Sequence, residues 1–532
     1  MSQSLHVLVL DGVSPKGVEK LSAVPGLRVT VSKSLSEGEL VAALSGVDAL
    51  VVRSQTKVTR KAMEAADRLK VVGRAGVGVD NVDLGAASEL GIVVMNTPGG
   101  NTISTAEHAF SLLLSVARNI PQADASVKAG QWDRKTFQGV EIHGKTLGVV
   151  GMGRIGTEVS RRAMAFGMRV LAYDPYLAAS RARSLQVELF EDFEAMLPLC
   201  DFITLHIPMT EETRGMLNAR TLGLCKPTVR LVNCARGGLI DEGDLARALV
   251  EGSVAGAAID VFETEPLPAE HPFRSAPNLV LTPHLGASTH EAQESVGIEI
   301  AESIADYLRS GTVRNAINVP NVDAKTLAVL RPYLELAERL GSAAAQFTPT
   351  RCDALQVIYT GKIADHDTTA VTRAALKGFL KETGSQVNEV NAPKFAERLG
   401  LQVSEQKLTV LEQEYHELVT VRAVDSSGTP CEVSGTFFGS TPHLVRINGR
   451  SVEARPEGVL MVFENNDRPG MVGKIGTLLG KHEVNIASMS LSRSEPGSRA
   501  LSVLNLDSMP PPACVEALRA DPDISHLRFA AL

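Results

Sequence analysis

The chain has 532 residues, too many for one ordinary domain, so three or four are expected. It is 44% hydrophobic and 21% charged, with a formal net charge of −8, and a mildly acidic chain without a Lys/Arg run lacks the concentrated basic face of a nucleic-acid binder. No run of about 18 apolar residues suggests a membrane span, and no basic segment followed by an apolar one marks a signal peptide at the N-terminus.

In chain order, Leu5–Leu10, Val47–Val52, Leu69–Val72 and Ile92–Val94 read as buried parallel strands, with helical patterns at Ser36–Leu44 and Arg60–Ala66 between them. Asn101–Asn119 is a long helical pattern, with Ser104 and Glu107 spaced as a capping box and Pro121 just past its end. A second alternation follows, with strands expected at Leu147–Val150, Arg169–Tyr173, Phe202–Leu205, Val229–Asn233, Gly256–Asp260 and Leu279–Leu281. Six is the count of a complete Rossmann sheet. A helix is expected at Thr289–Leu308, and the Asn318-Val-Pro-Asn321 segment reads as a boundary. Beyond it lie a helix at Ala328–Leu340, strand-like pieces and Gly-rich turns. From Val459 the order is strand, helix, strand, strand, helix, strand, the ferredoxin-like pattern. The fold class expected is α/β: two Rossmann-like doubly wound lobes, then an α+β domain and a ferredoxin-like domain. The six cysteines (Cys200, Cys225, Cys234, Cys352, Cys431 and Cys514) form no C-x-x-C pair, so no zinc site is expected and reduced thiols in the cytoplasm are.

Gly151-Met-Gly153-Arg-Ile-Gly156 follows one of these strands and opens a helix. Gly151 permits the tight turn, Gly153 lets the backbone approach a pyrophosphate, and Gly156 lets helix and strand pack closely. Asp174, 23 residues past Gly151, ends the next strand. Its carboxylate suits the two ribose hydroxyls of NAD and repels a 2′-phosphate. Arg236, Glu265 and His284 lie just past strand ends of the same sheet. Oxidation of a 2-hydroxy acid needs a cation for the carboxylate, a base for the hydroxyl proton and an acid to orient that base. The three residues supply one of each. Arg53 and Arg74, just past strands of the first lobe, suit an anion site.

The stretches Asn233–Gly238, Asp260–Pro266 and Pro283–Thr289 resemble the signatures of the D-isomer-specific 2-hydroxyacid dehydrogenases. Val51–Thr56, Val72–Asn81, Met95–Pro98, Gly144–Leu147 and His284–Thr289 resemble the phosphoglycerate dehydrogenase branch of that family. The resemblance implies a substrate lobe of residues 1–97 and 289–318 and an NAD lobe of residues 98–288. It gives Arg236, Glu265 and His284 the roles above and assigns Asp260 to the nicotinamide amide. Val77, Arg154, Ile155, Cys234, Ala235, Gly286 and Ala287 would line the cofactor cleft. Arg53, Ser54, Arg74, Gly76 and Val77 would contact 3-phosphoglycerate, and Arg134 would reach a neighbouring subunit's phosphate. The helix at 101–119 would contribute to a dimer interface in a homodimer or homotetramer.

Gly435–Gly439 and Arg446–Gly449 resemble the intervening domain of the long form (319–454), and Asn466–Met471 with Val484–Ile486 an ACT domain (455–532). The latter implies an amino-acid effector, L-serine as end product of its own biosynthetic route, with Asp467 and Asn485 as contacts. Position 465 is Asn where related effector sites often carry an aromatic or a His, and an ACT module that only joins subunits is the alternative. Other readings stay open: a hydroxypyruvate or glyoxylate reductase, and a non-enzymatic NAD-sensing regulator like the C-terminal-binding corepressors. Formate dehydrogenase is disfavoured by Glu265 before Pro266.

Overall fold

The computed structural model describes residues 4–348, 351–383, 386–408, 415–493, 495 and 498–532. The first sheet contains β1 (Leu5–Val9), β2 (Leu27–Val31), β3 (Ala49–Val52), β4 (Val71–Arg74) and β5 (Val93–Met95). All pairings are parallel, in the order β2-β1-β3-β4-β5. Every residue of β3 is buried, because helices cover both faces of such a sheet and its centre must be apolar on both sides. One face packs Val7, Val9, Val51 and Val71 against Val296, Ile300 and Ile304 of the returning helix His290–Ser310. That helix sits close: a Cβ on Gly17 would stand 2.5 Å from the carbonyl oxygen of Gly297. Strand β2 escapes a reading for buried runs because it is an edge strand with most of its side chains partly or fully exposed.

The second sheet runs β12-β11-β10-β9-β6-β7-β8, again all parallel. Its strands are β6 (Thr146–Val150), β7 (Arg169–Tyr173), β8 (Glu188–Phe190), β9 (Phe202–Leu205), β10 (Arg230–Asn233), β11 (Gly256–Ile259) and β12 (Leu279–Leu281). The six expected strands are present and β8 is a seventh, a three-residue edge strand too short to stand out in the sequence. Strand order reverses at β6, where β7 and β9 flank it, which opens a crevice at the carboxyl ends.

The capping box expected at Ser104 and Glu107 does not form. The helix runs Thr102–Arg118 from an N-cap at Asn101, so Ser104 lies inside its first turn. The Ser104 hydroxyl instead donates to the carbonyl oxygen of Gly286, and Glu107 faces Arg162. Pro121 does not follow a helix end into coil but sits in the first turn of the next helix, Ile120–Lys128, where its missing N–H costs nothing.

Residues 315–318 run back along β5: the N–H of Val94 donates to the Asn318 side chain, which donates to the carbonyl oxygen of Ile92. Then comes a mixed sheet, β14-β13-β15-β16-β17-β18, of β13 (Cys352–Gly361), β14 (Gln402–Leu408), β15 (Glu417–Asp425), β16 (Pro430–Phe438), β17 (Thr441–Ile447) and β18 (Arg450–Ala454). Its long helix spans Ala324–Phe347, several residues beyond the expectation at each end. The last sheet is antiparallel, β20-β21-β19-β22, from β19 (Val459–Asn466), β20 (Ile486–Ser492), β21 (Arg499–Leu506) and β22 (Ile524–Ala531). This is the ferredoxin-like order. Its helices cover one face over Met461, Phe463 and Leu504. The other face, with Leu460, Val462 and Val503, is sealed into the cluster of helix Ala324–Phe347. Among the described residues no helix is long and apolar enough to cross a membrane.

Candidate active site

The crevice at β6 is built by its glycines. Gly151 has φ +93°, and a Cβ there would stand 2.5 Å from the carbonyl oxygen of His206. A Cβ on Gly156 would stand 1.9 Å from the Gly151 carbonyl oxygen, so that helix and turn meet only without one. Gly153 differs: it caps helix Arg154–Ala165, and a Cβ there would meet nothing within 4 Å. No side chain caps that helix, so its first N–H groups suit a pyrophosphate, which the bare Gly153 would let come close. Ile155 packs into the lobe's core, and a Cβ on Gly99 would lie 3.3 Å from the Arg154 guanidinium. The Asp174 carboxylate accepts from the N–H groups of Met152 (2.8 Å) and Tyr176 (2.9 Å), which fixes it beside the glycine turn. These residues fit a dinucleotide. His206, at the end of β9, was not singled out from the sequence. Burial pushes its pKa down to about 4, so it is neutral, with Nε2 3.0 Å from the Thr204 hydroxyl.

Three loops at the carboxyl ends of β10, β11 and β12 carry the polar residues. Asn233 is buried and folds the first: its side chain accepts from the N–H of Ala235 and donates to the carbonyl oxygen of Arg236. Gly237 then lets this loop touch the next, since a Cβ there would lie 2.1 Å from the backbone of Phe262. Arg236 Nη1 donates to the Ala235 carbonyl oxygen (2.7 Å), while Nε lies 3.2 Å from Asp80 Oδ2, on the other lobe.

The Asp260 side chain is wholly buried. It accepts from the Thr282 hydroxyl (2.6 Å) and from the N–H groups of Leu285 (2.7 Å) and Gly286 (3.0 Å), and His108 Nε2 lies 3.1 Å away. Burial works to raise its pKa, but the bonds from His108, Thr282 and Leu285 hold it below the usual carboxylate range. Asp260 thus fastens the loop that presents His284, a task the sequence did not suggest. Its carbonyl oxygen also takes the His284 N–H at 2.9 Å. His284 adopts φ +55°, uncommon without glycine and tolerable only where the surroundings fix it.

His284 Nδ1 lies 2.9 and 3.1 Å from the two oxygens of Glu265. Glu265 also accepts from the N–H of Phe262 at 3.1 Å. The bond to Glu265 raises the His284 pKa against the opposing effect of burial. Burial works to raise Glu265, yet its bond with His284 and the histidine's charge bring it below normal. A carboxylate can only accept, so Nδ1 carries the proton and Nε2 keeps its lone pair when the ring is neutral.

The first lobe contributes cations. Buried Asp11 accepts from the N–H groups of Arg53 (2.9 Å) and Thr56 (3.0 Å), shaping the loop that exposes Ser54. Burial, then repulsion from Arg236 and Arg53, pushes the Arg74 guanidinium down to about 10. Its Nε is buried with no partner among the described residues. Gly76, at φ +146°, yields to that side chain: a Cβ there would stand 1.5 Å from Arg74 Nη1. Val77 follows, its carbonyl oxygen held by the Asn96 side chain. Arg53, Arg74 and Arg236, from two lobes, thus share one field.

Other expected residues are placed differently. The Cys234 thiol is buried, and burial followed by the charge of Asp260 pushes its pKa well up. Ala235 and Ala287 are half-buried beside it and beyond Gly286, respectively. His108, Cys234 and Asp260 offer donor atoms within 4.8 Å of one another, a cluster that no sequence spacing gave. The hydrogen bonds of Asp260 account for it without an ion. Arg134 is exposed and makes no ion pair among the described residues. Asp467 and Asn485 are not brought together. On β21, Arg499 pairs with Asn466 and Leu506 with Ile486. The two residues therefore lie at opposite ends of the sheet, about 23 Å apart at 3.3 Å per residue. Asp467 pairs with Arg493 and Asn485 with Asp507.

Three family models match: D-isomer specific 2-hydroxyacid dehydrogenase, NAD binding domain (110–286), D-3-phosphoglycerate dehydrogenase intervening domain (329–448) and ACT domain (459–523). The chain is 43% identical over 524 residues to D-3-phosphoglycerate dehydrogenase of Methanocaldococcus jannaschii, covering 98% of this chain and 99% of that one. It is 41% identical over 532 residues to the Bacillus subtilis enzyme of the same name, covering 99% of each. A glyoxylate reductase structure from Paecilomyes thermophila matches with a TM-score of 0.54 at 29% identity, covering 60% of this chain and 99% of that one. Apo D-lactate dehydrogenase from Escherichia coli gives 0.52 at 29% identity, covering 59% and 100%.

Proposed function

The chain belongs to the D-3-phosphoglycerate dehydrogenases, NAD-dependent oxidoreductases, and from this premise we propose how its own residues divide the reaction. Arg236 grips the carboxylate of 3-phosphoglycerate through its planar fork. Arg53 and Arg74, with Ser54 and the backbone at Gly76, hold the phosphate. His284 Nε2 takes the C2 hydroxyl proton, and Glu265 fixes the tautomer and stabilises the imidazolium. NAD, when bound, would supply the acceptor for the C2 hydride, and the oxidised product would be 3-phosphohydroxypyruvate. Gly151, Gly153 and Gly156 would make room for NAD, Arg154 and Ile155 open the helix whose N-terminus would meet its phosphates, and Asp174 would take the ribose hydroxyls. Asp260 would receive the nicotinamide amide, while Val77, Cys234, Ala235, Gly286 and Ala287 would wall the cleft.

The observation that carries this reading is the His284–Glu265 pair on the same sheet edge as Arg236, whose charge acts both on His284 and on Arg74. The substrate lobe is residues 1–97 with 289–318, the NAD lobe 98–288, the intervening domain 319–454 and the ACT domain 455–532. The enzyme works in the cytoplasm as a homodimer or homotetramer. Exposed Ile103, Ile120, Val127 and Trp132 around helix Thr102–Arg118 supply an apolar face for a second copy, and Arg134 on that side reaches the neighbour's phosphate. L-serine, end product of the pathway this reaction opens, binds the ACT domain. Because Asp467 and Asn485 sit at opposite ends of one sheet, a single ligand reaches both only between two copies.

The test is NADH oxidation with phosphohydroxypyruvate, hydroxypyruvate, glyoxylate and 2-oxoglutarate in parallel, each with and without millimolar L-serine. Strong preference for the phosphorylated acid is expected. Equal rates with hydroxypyruvate would sink the phosphate site, and indifference to serine would leave the ACT domain a subunit joint.

A further inference from the structure

Asp80 belongs to no part of the chemistry above, yet it touches the residue that grips the substrate. It lies in the loop after β4, on the lobe that carries Arg74. Its Oδ2 is 3.2 Å from Nε of Arg236, which comes from the other lobe. The contact is built on both sides. Nη1 of Arg236 is held by the Ala235 carbonyl oxygen. Gly78 has no side chain where the guanidinium passes, and a Cβ there would stand 2.0 Å from Nη2 and 2.7 Å from Asp80 Oδ2. Asp80 pairs with the Nε side of the guanidinium as an ion pair and the Ala235 carbonyl oxygen anchors Nη1, so the side chain is held from both lobes and its outer edge is left for a carboxylate. Asp80 also opposes the repulsion among Arg53, Arg74 and Arg236: its charge raises the Arg74 pKa that burial and Arg236 lower.

We propose that Asp80 is the positioning residue of Arg236, an interlobe latch that sets the plane of the guanidinium as the two lobes come together. The inference rests on the reading of Arg236 as the carboxylate grip. It explains why an acid stands in an anion site, where it would otherwise repel the substrate. Asp80 pairs on the Nε side and leaves the outer edge of the guanidinium for the substrate, and so spends its charge on orientation. The side chain is largely exposed, at 74%. An ion pair this wet contributes little to stability, so its loss should be read in catalysis and not in folding.

The experiment is a double-mutant cycle on the full-length enzyme. Asp80→Ala is expected to lower kcat/KM for phosphohydroxypyruvate about tenfold, the effect of about 1.4 kcal/mol on a transition-state contact. NADH affinity by fluorescence and melting temperature should not change. Asp80→Glu keeps the carboxylate and should restore most of the loss, whereas Asp80→Asn, which loses the charge of the ion pair, should restore little. In an Arg236→Lys background, where no fork remains to orient, Asp80→Ala should cost almost nothing further. Equal losses from Asp80→Ala in both backgrounds, or wild-type kinetics of Asp80→Ala, would overturn the latch. Full activity of Arg236→Lys and Arg236→Ala would instead remove the carboxylate grip itself, a separate failure.

Discussion

The two parallel sheets of this chain share an architecture and differ in what their carboxyl ends present. The second sheet offers a glycine turn and a fixed acid at β6 and β7, then Arg236, Glu265 and His284 after β10 to β12. The first sheet offers arginines after β3 and β4, and its glycines yield space to Arg74 and Arg236 instead of to a ligand. Both present these groups at the carboxyl ends of their strands, where parallel sheets bind ligands. A strand end supplies the position, and the loop beyond it supplies the chemistry. On the proposed division, the second sheet would move the proton, hold the dinucleotide and grip the carboxylate through Arg236, and the first would read the phosphate.

The division can be broken most severely on the second sheet. His284→Ala removes the proton acceptor, and general acid–base loss predicts a fall in kcat of about a thousandfold. NADH binding, read by fluorescence titration, should be unchanged, because the dinucleotide turn lies elsewhere. Near-normal turnover would take His284 out of the mechanism. On the first sheet the effect should be smaller and selective. Arg74→Ala and Arg53→Ala each remove a charged donor worth about 1.5–3 kcal/mol, so KM for phosphohydroxypyruvate should rise roughly ten- to a hundredfold. The slow reduction of hydroxypyruvate, which has no phosphate, should hardly move. If both substrates suffer equally, these arginines hold the fold and do not read the phosphate.

Much of this contrast was legible in the residues. Leu147–Val150 and Phe202–Leu205 are short apolar runs buried on both faces, and such runs show without a partner. Gly151, Gly153 and Gly156 declare themselves by spacing after a strand. What escaped depends on contacts distant in sequence. Strand β2 is half-exposed at an edge, and β8 is three residues long. Ser104 and Glu107 have capping-box spacing, but the helix begins earlier and Ser104 is claimed by Gly286, far along the chain. Asp80 gains its partner only when the lobes meet. Asp467 and Asn485 flank one short helix in sequence, yet β20 runs parallel to β19 with β21 between, which carries them to opposite ends of the sheet.

The smallest effect concerns how the second sheet tunes its base. Glu265 raises the His284 pKa by hydrogen bond and charge, while burial lowers it. Reduction of the keto acid needs the imidazolium as proton donor, so its rate should fall as pH rises through the His284 pKa, and the oxidative rate should rise there. Glu265→Gln keeps a side-chain oxygen but loses the charge, so both limbs should move to lower pH, with only a modest loss of kcat at the optimum. Stability follows the same signs. A raised His284 pKa contributes stability present below its unfolded value and lost as pH rises through the folded one. A lowered Glu265 pKa contributes stability present above its unfolded value and lost as pH falls through the folded one. The pair therefore steadies the fold most where Glu265 is ionised and His284 protonated, around weakly acidic pH. Glu265→Gln should lower Tm there, and the difference should narrow without closing at alkaline pH, where the contribution of the imidazolium is gone but the hydrogen bonds to the Glu265 carboxylate remain; the whole effect is small because His284 is half exposed. A pH–rate profile that Glu265→Gln leaves in place would mean that the imidazole is tuned by Asp260 and the loop it fastens, and that Glu265 serves only to hold the ring.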